Sequence, residues 1–261
     1  MRLCLLKRTK SENMSISSVR RLESILHGKS LDRTLVQSLG GKPRILAETG
    51  QAALDELLAG GFVRGHLSEI VGPRSSGRMS LLASVFAAAT GRGEVVALID
   101  TCDRFDPVSA AAAGVELSKL LWVRERGRES SHNLEVIVKR ALKAMSLVLD
   151  AGGFGVVAFD LTDCSPRTIR QIPMVTWLRL SRLLENSNTV GVLLGPEPIS
   201  RSAEGQTVVL RANSTPGWWS GTHDRNRLLQ GLECQAQVIR ARRPRHEFVT
   251  LRSEFPRPGL S

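Results

Sequence analysis

The chain has 261 residues, 42% hydrophobic and 23% charged, with a formal net charge of +11. That length and apolar content suit one large domain with a sizeable core. No apolar run approaches the roughly 18 residues that a membrane-crossing helix needs. The basic opening, Met1-Arg2-Leu3-Cys4-Leu5-Leu6-Lys7-Arg8, is interrupted by charge before a secretory core can form. No membrane association is expected, the protein reads as cytoplasmic, and Met14 is an alternative start to Met1. Cys4, Cys102, Cys164 and Cys234 are scattered without a CxxC pair, a spacing that suggests neither a zinc site nor a disulfide framework and favours scattered buried thiols. The positive charge admits two readings, a surface that neutralises nucleic-acid phosphates or a solvated basic face.

Residues 1–43 are polar, basic and serine-rich. Ile16, Val19, Leu22 and Leu26 recur at helical spacing, so a short amphipathic helix is expected over residues 15–26. This N-terminal arm suits self-association or packing on a partner, with a frayed terminus as the alternative. From residue 44 the pattern changes to alternating strands and helices. A helix is expected over residues 52–58, a strand over 66–71, a loop over 72–77 and a helix over 79–89. Further strands are expected over 95–100, 120–123, 155–160 and 189–194. Helices are expected over 107–113, 133–150 and 174–185. Strand–helix alternation of this kind predicts an α/β fold with a mainly parallel twisted sheet flanked by helices. After Gly205, strands over 207–212, 234–241 and 248–252 predict an antiparallel end to the sheet. The expected organisation is an arm (1–43), a core (44–255) and a tail (256–261).

Gly72-Pro73-Arg74-Ser75-Ser76-Gly77-Arg78-Met79-Ser80 sits between a strand and a helix. The two glycines have the spacing of a P-loop, in which backbone N–H groups cradle phosphates, a Lys reaches the β- and γ-phosphates and a Ser/Thr hydroxyl holds Mg²⁺. Arg78 stands at the Lys position and keeps the charge in a larger, planar group. Met79 stands at the hydroxyl position, and a thioether is a poor ligand for a hard cation. Ser80 comes one residue late, about 100° round the helix. ATP binding on backbone amides is one reading, with Mg²⁺ weak or absent; a plain glycine-rich turn is the other. Asp160 ends the apolar strand Val156-Val157-Ala158-Phe159 as a Walker B carboxylate would.

The chain resembles RecA. The resemblance is carried by Glu48-Thr49-Gly50, the Leu54-Asp55 helix, Gly60-Gly61, Arg64-Gly65 and Glu69-Ile70-Val71-Gly72-Pro73. It continues through Ser75-Ser76-Gly77, Leu98-Ile99-Asp100, Asp106-Pro107, Gly114-Val115 and Ser187-Asn188-Thr189, over roughly residues 45–253. It implies a RecA-like P-loop NTPase core. It also places the family's catalytic Glu on Cys102, with Asp103 adjacent as a weak substitute, and its nucleotide-to-DNA switch Gln on Pro196. Lys119-Leu120-Leu121-Trp122-Val123-Arg124 and Leu54-Asp55-Glu56-Leu57-Leu58 are similar to ImuA-type accessory proteins of mutagenic translesion synthesis. That closer resemblance implies an SOS-response role beside a Y-family polymerase relative and an error-prone polymerase.

Candidate DNA contacts are Arg167 and Arg170 in a short loop before residue 174, and Trp218 and Trp219 in a turn-rich stretch, residues 216–222, followed by His223, Arg225 and Arg227. The crowded Arg240, Arg242, Arg243 and Arg245 complete the set. Aromatic faces beside arginines suit single-stranded DNA. Three functions remain: a repair accessory with a weak or inactive ATPase site, an ATP-dependent RecA-like recombinase, and a pure interaction scaffold.

Overall fold

A computed structural model of the chain describes residues 44–124, 134–200, 205–222, 227–241 and 247–254. The chain divides into two units at Arg44/Ile45, and the second holds all the elements below. The expected arm helix and Arg242, Arg243, Arg245, His223 and Arg225 lie outside the described residues.

The elements in chain order are β1 (Leu46–Ala47), α1 (Ala52–Leu57), β2 (Phe62–Val63), β3 (Leu67–Val71), α2 (Arg78–Gly91), β4 (Val95–Asp100), α3 (Pro107–Ala112) and β5 (Leu120–Arg124). They continue with α4 (Leu134–Ala151), β6 (Phe154–Asp160), α5 (Pro166–Arg170), α6 (Met174–Leu184) and β7 (Val190–Gly195). Three long strands follow, β8 (Thr207–Ser220), β9 (Leu228–Arg240) and β10 (Phe248–Glu254). The main sheet has eight strands in the order β10-β9-β8-β3-β7-β6-β4-β5. β8, β3, β7, β6, β4 and β5 run parallel, β9 pairs antiparallel with β8, and β10 pairs antiparallel with β9. The α/β class, the parallel centre and the antiparallel end follow the expectation from the sequence.

The central strands are apolar on both faces because helices cover both. In β4, Val96 and Leu98 face one layer and Ala97 and Ile99 the other, as the period of two requires. The first face packs on Leu54, Leu82, Phe86 and Ala110 from α1, α2 and α3. The second packs on Val138, Met145, Trp177 and Leu180 from α4 and α6. Among the described residues no helix is long and apolar enough to cross a membrane.

Two local expectations need correction, and one pair of strands was not foreseen. The small antiparallel pair β1–β2 was hidden because two-residue strands carry no periodicity. The stretch before residue 174 is not a plain loop: Pro166 at the first turn and the Ser165 hydroxyl, which accepts from the Thr168 N–H at 3.1 Å, set up α5. Residues 216–220 are strand, not turn. Trp218 pairs with Gly231 and Trp219 with Leu229 in the β8–β9 hairpin. The ladder shifts register between Ala212 and Gly217, and an irregularity of that kind accommodates Pro216, which has no N–H to donate.

Candidate nucleotide site at the strand edge

The loop between β3 and α2 forms as its glycines dictate. Gly77 caps α2 with φ +92°, a left-handed conformation that a side chain would strain. A Cβ on Gly72 would sit 2.5 Å from the Leu210 carbonyl oxygen, so only glycine lets the loop start beside β8. No side chain caps α2, which leaves the positive end of a 14-residue helix facing the loop. The Ser76 hydroxyl is buried and has no hydrogen-bond partner among the described residues. Buried polar atoms are rarely left unpaired without a ligand or water to satisfy them.

The side chains around this cradle are arranged unlike those of a metal-assisted site. Arg78 is buried and its Nη1 donates to the Gly195 carbonyl at 2.9 Å. Burial holds its guanidinium below the usual arginine range, against the pull of Asp160 and Asp163. Met79 packs against the apolar core shared by the sheet and α2. Ser80, one position on, lines a cavity together with Ser75, Ser76 and Gly77 of the loop and with Gln51, Glu233 and Arg252. The position of the cation ligand itself carries the Met79 thioether.

Asp160 is brought to the same edge. It is buried, and its Oδ1 accepts from the Thr162 N–H at 2.8 Å. Desolvation raises its carboxyl above the usual range. Asp163 is occupied differently: Arg74 Nη2 lies 2.6 Å away and Arg104 Nε 3.1 Å away, and the Arg74 hydrogen bond is the chief reason its carboxyl falls below the usual range. These residues do not fit Mg²⁺, because one carboxylate is desolvated, the other is clamped by two guanidiniums, and the remaining position is a thioether.

Asp103 is not brought to the loop. It follows β4, which lies beyond β7 and β6 from β3, and its carboxylate takes a 2.7 Å ion pair from Arg124 at the end of β5. Cys102 is half-buried between β4 and β6. A hydrogen bond with the Cys164 thiol brings its own thiol down to about 7, with Thr101 contributing. The Thr101 hydroxyl lies 3.6 Å from the Cys102 sulfur and 3.9 Å from that of Cys164. Cys164 is pushed up, first by that same hydrogen bond and then by burial.

The candidate DNA residues divide. Arg170 is held by Glu197 in a two-nitrogen contact, the shortest at 2.8 Å. Both side chains are exposed, so the pair contributes under about 1 kcal/mol. It joins α5 to the segment after β7. Arg167 is exposed on the same helix, Trp219 is exposed on β8, and Arg240 is half-buried at the end of β9.

Glu69 has a role that the sequence reading missed. It is buried in β3, where Oε1 accepts from the backbone N–H groups of Ile199 and Ser200 and Oε2 from the Thr207 hydroxyl at 3.0 Å. It therefore fixes both ends of the β7–β8 connection. A carboxylate inside an apolar strand was the available signal, since a buried charge demands partners.

The RecA N-terminal domain family matches residues 26–153. The chain is 41% identical over 163 residues to protein RecA of Chloroflexus aggregans, covering 60% of this chain and 46% of that one. It is 40% identical over 93 residues to protein RecA of Chlorobaculum parvum, covering 35% and 27%. These matched segments span less than half the length of either relative. A crystal structure of the RadB recombinase superposes with a TM-score of 0.56 at 18% identity, covering 78% of this chain and 94% of that one. That likeness is one of fold.

Proposed function

Because the chain belongs to the RecA superfamily, we propose that it is a RecA-like DNA-repair accessory of the SOS response. In this reading it supports mutagenic translesion synthesis through protein and single-stranded DNA contacts, and turns over ATP weakly or not at all. The ImuA-type resemblance supplies the role: a cytoplasmic partner for a Y-family polymerase relative and an error-prone polymerase. Self-association through residues 1–43 belongs to the same reading.

The observation that carries it is the replacement of the hydrolytic machinery around an intact cradle. Arg78 is turned to the Gly195 carbonyl, Met79 is packed into the core and Cys102 stands where the resemblance puts the catalytic Glu. A thiol there lacks the carboxylate oxygens that would orient and deprotonate an attacking water. The backbone cradle, the open end of α2 and the Ser76 hydroxyl support retention of nucleotide phosphate. Exposed Arg167 and Trp219 support contact with single-stranded DNA, for which a backbone charge and a stacking face are the usual elements.

The test is ATP turnover by the purified full chain, with and without single-stranded DNA. Background hydrolysis in both, together with capture of a Y-family polymerase relative, is the expected outcome. Robust DNA-stimulated hydrolysis, or strand exchange with ATP, would overturn the accessory reading in favour of a recombinase.

A further inference from the structure

The mouth of the phosphate loop contains more fixed positive charge than its carboxylates balance. Arg74, Arg78 and Arg104 face Asp160 and Asp163, three guanidiniums against two carboxylates. Arg78 is anchored from behind by the Gly195 carbonyl, the same oxygen that accepts from the Gly72 N–H at 3.2 Å. Its charge is therefore held at the junction of β3 and β7, one strand from Asp160 on β6. In a P-loop with its usual side chains a divalent cation bridges the loop hydroxyl and the strand-end carboxylate. Here the loop hydroxyl is missing and the carboxylate already faces a guanidinium.

We propose that the loop takes the polyphosphate of a nucleotide as a free anion, with the Arg78 and Arg74 guanidiniums supplying the charge that Mg²⁺ and a lysine ammonium supply elsewhere. The inference rests on the reading that this loop still holds nucleotide phosphate, and adds that metal is not required. The physical reasons are additive. A dication placed on Asp160 is repelled by the Arg78 guanidinium that already interacts with that carboxylate. Asp163 would have to leave both Arg74 and Arg104 to ligate it. A bare polyphosphate meets the N-terminus of α2, the Ser76 hydroxyl and two arginines whose planar forks match phosphate oxygens, set against the Asp160 and Asp163 carboxylates that the three guanidiniums outnumber. Arg74, 78% exposed, can turn from Asp163 onto the ligand while Arg104 keeps its own contact with that carboxylate.

The experiment is calorimetric titration of the full chain with ATP, and separately with inorganic tripolyphosphate, in EDTA and in excess Mg²⁺. ATP is expected to bind as tightly in EDTA as in Mg²⁺, to within about threefold, and tripolyphosphate is expected to compete with it. The exposed Arg74→Glu substitution, which leaves the core untouched, is expected to weaken binding in EDTA by about tenfold or more. The double substitution Arg78→Lys with Met79→Thr is expected to make binding Mg²⁺-dependent.

Wild-type binding about tenfold tighter in Mg²⁺ than in EDTA overturns the inference while the nucleotide reading stands. Unchanged affinity in Arg74→Glu overturns the part assigned to Arg74. No binding in either buffer overturns the nucleotide reading and the inference together.

Discussion

Two loops at the same edge of the sheet begin alike and end differently. Each follows a buried parallel strand, β3 or β4, and each turns through left-handed residues: Ser75 and Gly77 in one, Asp103 in the other. Both could present a concave set of backbone N–H groups to an anion. After β4 the anion is built in. Asp100, buried at the strand end, accepts from the N–H groups of Cys102, Arg104 and Phe105 at 3.0–3.2 Å and from the Trp122 indole at 3.3 Å. After β3 no carboxylate plays that part, the helix end is uncapped, and the Ser76 hydroxyl stays unpartnered among the described residues. A strand-end aspartate can thus be a structural anion as readily as a catalytic one. The difference lies in whether the following turn closes on it.

The contrast is broken most directly at Asp100. Asp100→Ala removes an acceptor shared by three backbone donors and an indole, and a loss of about 3 kcal/mol is expected in chemical denaturation. A change below about 1 kcal/mol would mean that water satisfies the turn equally well, and the contrast between the loops would fail.

A smaller effect is expected on the open loop. Gly77→Ala forces a side chain into φ +92° and sets its Cβ 3.2 Å from the Cys234 sulfur. It is expected to cost about 1–2 kcal/mol and to reduce phosphate binding at the loop. Unaltered stability and binding would show that the left-handed cap is not what holds the cradle open.

The subtlest expected effect concerns Cys102, which sits within the closed turn. Its thiol is brought down to about 7, so the thiolate accumulates as pH rises through 7, well below where an ordinary thiol ionises. Alkylation by iodoacetamide is expected to rise with an inflection near that value and, among the cysteines of the described residues, to mark Cys102 first, because Cys164 and Cys234 are both pushed up. Peptide mass mapping across a pH series reads this out. First labelling at Cys234 would contradict it.

Much of the architecture was legible along the chain. Val95–Asp100 emerged as a strand with the expected bounds, and the flanking helices came within two residues of theirs, because periodicity and helix-ending glycines are local signals. The phosphate loop was legible for the same reason: glycine spacing between a strand and a helix is a local backbone requirement. The two-tryptophan strand was misread because Pro216 and Gly217 carry turn chemistry, and only the ladder to β9, which resumes with Gly217 opposite Leu232, makes the segment a strand.

The identities at positions 78, 79 and 102 belong to the sequence alone, and with them the lack of a P-loop lysine, a loop hydroxyl and a carboxylate base. Where those side chains go was decided by the tertiary structure. Arg78 finds a carbonyl 117 residues away and Glu69 finds backbone donors 130 and 131 residues away. Neither distance can be read along the chain, because β3 lies between β7 and β8, strands that follow it only after the five helices α2 to α6 and the three strands β4 to β6. Local pattern determines which backbone a segment adopts. Strand order and register determine which distant group a buried charge will meet, and that meeting gives this edge of the sheet its chemistry.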